Sequence, residues 1–298
     1  MGSAAAPGAA LGAVSLVRRP AAAGTFYPSD PAELEATIDA LLEEASRGPG
    51  EPASLVALIV PHAGYRYSGP VAATGYALIR GLEVRRAAIL GPAHFVPLDG
   101  CSVPRTDAWR TPLGDVEVDA ELRDALVGSG AVIDDEPHGP EHAVEVQLPF
   151  VQRGLGRSAR VLPVAVGRTT PVEVATMIEA LPQDVLVIVS TDLSHYHDAA
   201  TAQRLDRRTA DAILERDPAR IGPEDACGVF ALRGLLELAR RRDQRIKFLD
   251  LRSSADLGGE RDRVVGYGAF AVREKLSAYS SSVTGSPQSG APPPFTAT

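Results

Sequence analysis

Three apolar runs, each followed at once by a loop holding a histidine, constrain the fold of this chain more than any other feature. Residues 55–60 lead into Pro61-His62-Ala63-Gly64-Tyr65. Residues 87–90 lead into Gly91-Pro92-Ala93-His94, and 185–190 into Thr191-Asp192-Leu193-Ser194-His195-Tyr196-His197. A run that is apolar at every position suits a strand buried on both faces. Residues 161–166 and 246–251 read the same way, and 264–272 reads as a closing strand. Helical patterning falls between these runs, at 31–46, 69–80, 119–128, 142–154, 171–180, 199–215 and 228–241. The first helix has a clear start, with Asp30 as N-cap, Pro31 at the first helical position and Glu33 where a capping box needs it. Strands that alternate with helices imply an α/β fold, a mostly parallel or mixed central sheet with helices on both faces. Residues 101–119, with Pro104, Trp109 and Gly114, read as a hairpin inserted into that pattern.

Ligands of open α/β sheets bind beyond the carboxyl ends of the strands, and that is where the histidines stand. A random scatter of six histidines would seldom end three strands. Parallel neighbours lie about 4.8 Å apart, so loops at one edge can bring imidazoles within about 2 Å of a common ion. His62 and His94 are therefore candidate ligands, with His195 and Asp192 in the same pocket. Asp192 also suits the N-cap of whatever follows. His197 reads as a surface or outer residue, and His138 as surface. His142 falls between Glu141 and Glu145, which would share a helical face and supply a partner to fix its tautomer. An amphipathic helix with a polar face explains the same pattern. Cys227 precedes a predicted helix. It reads either as a thiol acidified by the helix N-terminus or as a small buried apolar side chain, and Cys101 as the latter.

Composition removes other classes. The net charge is −8, and no basic patch of the kind nucleic-acid binders carry is present. The densest cations, Arg240, Arg241, Arg242, Arg245 and Lys247, follow a helical pattern whose C-terminus they suit. No apolar run approaches a membrane span of about 18 residues. Arg18 and Arg19 follow the N-terminal apolar stretch, the reverse of a signal peptide, and Ala6 breaks the myristoylation pattern. A cytoplasmic location is the expectation. Residues 1–15 and 277–298 read as disordered tails around one domain at 16–276. Phosphate-loop, His-Glu-x-x-His, Gly-x-Ser-x-Gly and Cys-x-x-Cys motifs are absent.

The ordered set Ala23-Gly24-Thr25-Phe26-Tyr27-Pro28, Pro61-His62-Ala63-Gly64-Tyr65, Leu90-Gly91-Pro92-Ala93-His94, Thr111-Pro112-Leu113-Gly114, Glu141-His142-Ala143-Val144-Glu145, Ser190-Thr191-Asp192-Leu193-Ser194-His195 and Ala226-Cys227-Gly228 resembles the Memo family (mediator of ErbB2-driven cell motility). Its bacterial members are called AmmeMemoRadiSam system protein B. The resemblance spans residues 18–273. It implies a fold similar to class III extradiol ring-cleaving dioxygenases, in which two histidines and a glutamate hold Fe(II), with cysteine in place of the glutamate. Carried over, the ligands are His62, His94 and Cys227, with Asp192 and His195 lining the pocket and His195 at the acid/base position. A thiolate favours iron or Cu(I) over magnesium or calcium and is itself oxidisable. The resemblance also implies a radical SAM enzyme and a second protein as partners. Two further readings stand beside the redox one: an active dioxygenase on a catechol-like substrate, and a non-catalytic module that captures a peptide or phosphate group.

Overall fold

The computed structural model describes residues 16–46 and 54–275, so both assigned tails lie outside the described residues. The four apolar runs at the centre form β2 (Leu55–Val60), β3 (Arg86–Pro92), β8 (Arg160–Val166) and β9 (Val185–Ser190). They lie in the order β2-β9-β3-β8 and are parallel throughout. β3 and β9 are buried at every position, as their unbroken apolar patterning requires. Two antiparallel neighbours make the sheet mixed. β12 (Val264–Arg273) pairs with β2, and β4 (Cys101–Val103) pairs with β8.

Helices cover both faces: α1 (Pro31–Ala45), α2 (Tyr65–Tyr76), α3 (Ala120–Gly128), α4 (Leu148–Gly154), α5 (Pro171–Glu179), α6 (Ala199–Leu214) and α7 (Val229–Arg241). The expected α/β fold is the observed one. In α1, Asp30 accepts the Glu33 N–H with Pro31 next to it. Among the described residues no helix is long and apolar enough to cross a membrane.

Five local expectations are corrected. The helix expected at 69–80 starts at Tyr65 and carries Pro70 inside it, ending in a 3-10 turn at Ala77–Ile79. The helix expected at 142–154 is broken into a turn, a 3-10 segment at Glu145–Gln147 and the short α4. Pro149 forbids a helical bond to the residue four before it, and the Ala143 carbonyl is taken by the Ser190 hydroxyl. The run at 246–251 belongs to β11 (Arg245–Ser253), an edge strand with Lys247 and Phe248 exposed rather than a strand buried on both faces. The supposed closing strand β12 is internal, with β2 on one side and β10 (His195–His197) and β11 on the other. The expected inserted hairpin divides. β4 joins the main sheet, while β5 (Ala108–Thr111) and β6 (Gly114–Glu117) form a small sheet with β1 (Val17–Arg18).

The pole of the sheet opposite the histidine loops is tied by Asp119, which is fully buried. Arg86 opens β3 and donates to it at 2.8 and 3.1 Å, the Leu122 N–H donates at 3.2 Å, and Arg160 lies 3.5 Å away. Burial alone would raise the Asp119 pKa, but these cations and donors outweigh it and hold the carboxyl below its usual value. A carboxyl depressed in the fold stabilises above its unfolded pKa, near 4, and loses that contribution as pH falls through its folded value. Asp119→Asn is therefore expected to lower stability by about 3 kcal/mol at pH 7. The gap in melting temperature from wild type should narrow below about pH 4. A gap independent of pH would contradict this.

Candidate metal centre

β9 lies between β2 and β3, so the loops after all three strands meet at one edge. His62 follows β2, His94 follows β3, and Thr191-Asp192 follows β9. The fourth contributor is Cys227, held where α7 begins. Gly228 caps that helix, and its N–H donates to the Thr191 hydroxyl at 2.9 Å.

The ligand atoms of His62, His94 and Cys227 all lie within 4.8 Å of one another. His62 Nε2 is 3.2 Å from Cys227 Sγ. A cation about 2.3 Å from sulfur and about 2.0 Å from nitrogen places those two donors about 3.0–3.5 Å apart for angles from 90° to tetrahedral. The donor set fits one ion.

The hydrogen bonds settle which nitrogens face that ion. The single Ser190 hydroxyl proton goes to the Ala143 carbonyl at 2.7 Å, while Gln147 Nε2 donates to the same oxygen at 2.8 Å. His62 Nδ1, 2.9 Å from that oxygen, must then donate. The proton sits on Nδ1 and the Nε2 lone pair is left toward Cys227. His94 Nδ1 is 3.0 Å from Glu141 Oε1. Burial would raise Glu141, but His94 and the backbone donors lower it to about 2. An ionised carboxylate holds no proton, so His94 Nδ1 donates and its Nε2 is also free. Burial, with His94 beside it, brings His62 down to about 3, so its imidazole is neutral at physiological pH.

Cys227 is not the acidified thiol that a helix N-terminus suggested. Burial first, then the Asp192 carboxylate, pushes its pKa up. The Asp192 N–H donates to its sulfur at 3.2 Å, a contact that favours thiolate once a cation displaces the proton. Asp192 is not a helix cap. Its Oδ1 accepts the His62 N–H at 2.8 Å, which fixes the His62 loop. Burial raises the Asp192 pKa, against that N–H and the neighbouring His195. Among the described residues no hydrogen bond joins Asp192 to His195. His195 stands half-buried on β10 with Tyr196 against its ring.

His142 joins the cluster although its helix does not form. Its ring stacks on His94 at 5.0 Å and meets His62 edge-on at 5.5 Å. Phe26 packs on its other side at 4.3 Å. Burial, with His62 beside it, lowers it to about 4. Of the two carboxylates expected to serve His142, Glu141 lies 3.3 Å from its Nδ1 but spends its hydrogen bonds mostly on other groups. Glu141 accepts from His94 Nδ1 and from the N–H groups of His94, His142 and Ala143. Glu145 faces away, toward Arg18 and Tyr27. His138 is buried against Trp109 rather than on the surface.

Sequence reading gave Ser190 and Gln147 no role, yet they set the His62 tautomer. The signal was a serine ending a strand otherwise apolar.

Fold and site together define an α/β protein whose sheet gathers two histidines and a cysteine at its carboxyl edge, within reach of one cation. The chain belongs to the Memo family: the Memo-like protein profile matches residues 18–271. It is 36% identical over 281 residues to a MEMO1 family protein of Methanopyrus kandleri, covering 86% of this chain and 99% of that one. It is 36% identical over 275 residues to one of Methanothermobacter thermautotrophicus, covering 85% and 99%. A Thermoplasma volcanium relative is 32% identical over 272 residues, covering 88% and 100%.

Proposed function

We propose that this protein holds a redox-active metal ion, Fe(II) or else copper, on His62, His94 and Cys227. The reading rests on one observation above the others: His62 and His94, each with its Nδ1 committed to another partner, bring a ligand atom within 4.8 Å of each other and of the half-buried Cys227 thiol. Neutral imidazole and thiolate form a soft donor set, suited to iron and copper and unsuited to magnesium or calcium. The bound metal would supply oxygen-dependent redox chemistry at positions the three protein ligands leave open.

The chain's own residues would do the rest. Cys227 would lose its proton on binding, with the Asp192 N–H supporting the thiolate. His195 would hold or move a proton at a ring nitrogen. Phe26 and Phe95, packed on His142, would keep water from that side of the pocket. A reactive thiol ligand suits the reducing cytoplasm, and both cysteines are free.

Anaerobic titration with Fe(II) tests the reading. His62→Ala, His94→Ala and Cys227→Ser are each expected to weaken binding at least about a hundredfold, since each removes one of three bonds of a strongly held ion. Wild-type affinity in any of the three would remove that residue from the centre. Turnover of a catechol by the loaded wild type would extend the reading to a ring-cleaving dioxygenase.

A further inference from the structure

The structure assigns Arg18 as a positioning residue for the metal centre, acting on His94 through Glu141. The assignment rests on the metal-binding reading above. Arg18 lies at the end of β1 and is not among the residues that would hold the metal. Its side chain is buried and its guanidinium lies over the Trp109 ring at 4.0 Å.

All five of its N–H donors are used. Nε donates to the His138 carbonyl at 2.7 Å. Nη2 donates to the Glu141 carbonyl at 2.7 Å and the Gly139 carbonyl at 3.3 Å. Nη1 donates to Glu145 Oε2 at 2.7 Å and the Arg19 carbonyl at 3.4 Å. Four of the five acceptors belong to the segment 138–145. That segment is neither helix nor strand before the 3-10 turn that begins at Glu145, so no backbone ladder holds it.

The same segment carries Glu141, which fixes His94 at Nδ1, and His142, which stacks on His94. Arg18 grips the Glu141 backbone while the Glu141 side chain grips the ligand. Glu145 completes the clamp by accepting the N–H groups of Ala21 and Ala22 and the Tyr27 hydroxyl. This gives the Ala23–Pro28 motif a task, because the clamp also seats Phe26 against His142. A lysine offers three donors from one point and cannot span four carbonyl and carboxylate acceptors.

The test is Co(II) affinity and the sulfur-to-cobalt absorption band. It compares wild type, Arg18→Ala, Arg18→Lys, Glu141→Gln and the Arg18→Ala/Glu141→Gln double variant. Arg86→Ala, which breaks a buried ion pair at the far pole, controls for loss of stability alone. Partners that orient a ligand are worth about 10–100-fold in metal affinity. Arg18→Ala is expected to lose about tenfold or more and to shift the band. Arg18→Lys should recover little, and Arg86→Ala should match wild type. The double variant should bind no more weakly than Glu141→Gln, because the two residues act in series.

Additive losses in the double variant, an equal loss in Arg86→Ala, or an unchanged Arg18→Ala would each overturn the assignment. Should Arg18→Ala fail to fold, the cycle runs with Arg18→Lys and is judged by the same criteria. A wild type that binds no Co(II) would overturn the metal-binding reading itself, and this inference with it.

Discussion

Glu145→Ala is expected to cost about 5 kcal/mol, lowering the melting temperature by about 10–20 °C for a domain of this size. Glu145 is fully buried. Its two oxygens accept from Arg18, Ala21, Ala22 and Tyr27 at 2.6–2.8 Å. Removing one partner of a buried ion pair leaves the other charge uncompensated, worth about 3–5 kcal/mol. The two abandoned N–H groups and the hydroxyl add to that. Glu145→Gln, which keeps one acceptor oxygen, should recover part of the loss. A loss below about 1 kcal/mol, the ordinary range for exposed pairs, would mean that the N-terminal segment is not anchored there. Thermal and urea unfolding measure it directly.

Gly228→Ala is the second large effect, and it joins stability to the site. The Gly228 backbone has φ −88°, which alanine adopts freely, so any cost is steric. A Cβ there would sit 2.7 Å from Thr191 Cβ, 2.8 Å from the Ser190 carbonyl oxygen and 2.9 Å from Thr191 Oγ1. These atoms close β9 and cannot swing aside. The start of α7 must retreat and carry the adjacent Cys227 with it. The expected result is a loss of about 1–3 kcal/mol together with metal binding about tenfold weaker or worse. Gly128→Ala, where nothing stands within 4 Å of an added Cβ, is the control that should affect neither. Unchanged metal affinity in Gly228→Ala would show that Cys227 is not held by this packing.

The strands and their histidine loops were legible because burial on both faces forces an unbroken apolar run, and because strand ends are where such a sheet exposes chemistry. His62 and His94 follow from that alone. Cys227 did not: a lone thiol before a helix reads more readily as a small buried side chain, and the family resemblance rather than the spacing pointed to it as a ligand; the fold sets it 3.2 Å from His62 Nε2. The roles of Glu141 and Glu145 were misjudged because helical spacing put both on one face. Tertiary partners won instead. Arg18 takes the Glu141 carbonyl and Ser190 the Ala143 carbonyl, both of which the expected helix would need. The same blindness hid Arg18, which is 127 residues from Glu145 in the chain. β11 was misplaced for a simpler reason. Lys247 and Asp250 interrupt its apolar run and already marked it as an edge.

The central claim is that His62, His94 and Cys227 hold a redox-active metal, and native metal content tests it most directly. The untagged protein would be purified without oxygen and analysed by mass spectrometry for iron, copper and zinc, beside Cys227→Ser. The account predicts iron or copper approaching one ion per chain in wild type and little in the variant. Wild type that is empty of both, and stays empty after anaerobic reconstitution with Fe(II) and with Cu(I), would contradict it and favour a non-catalytic binding module.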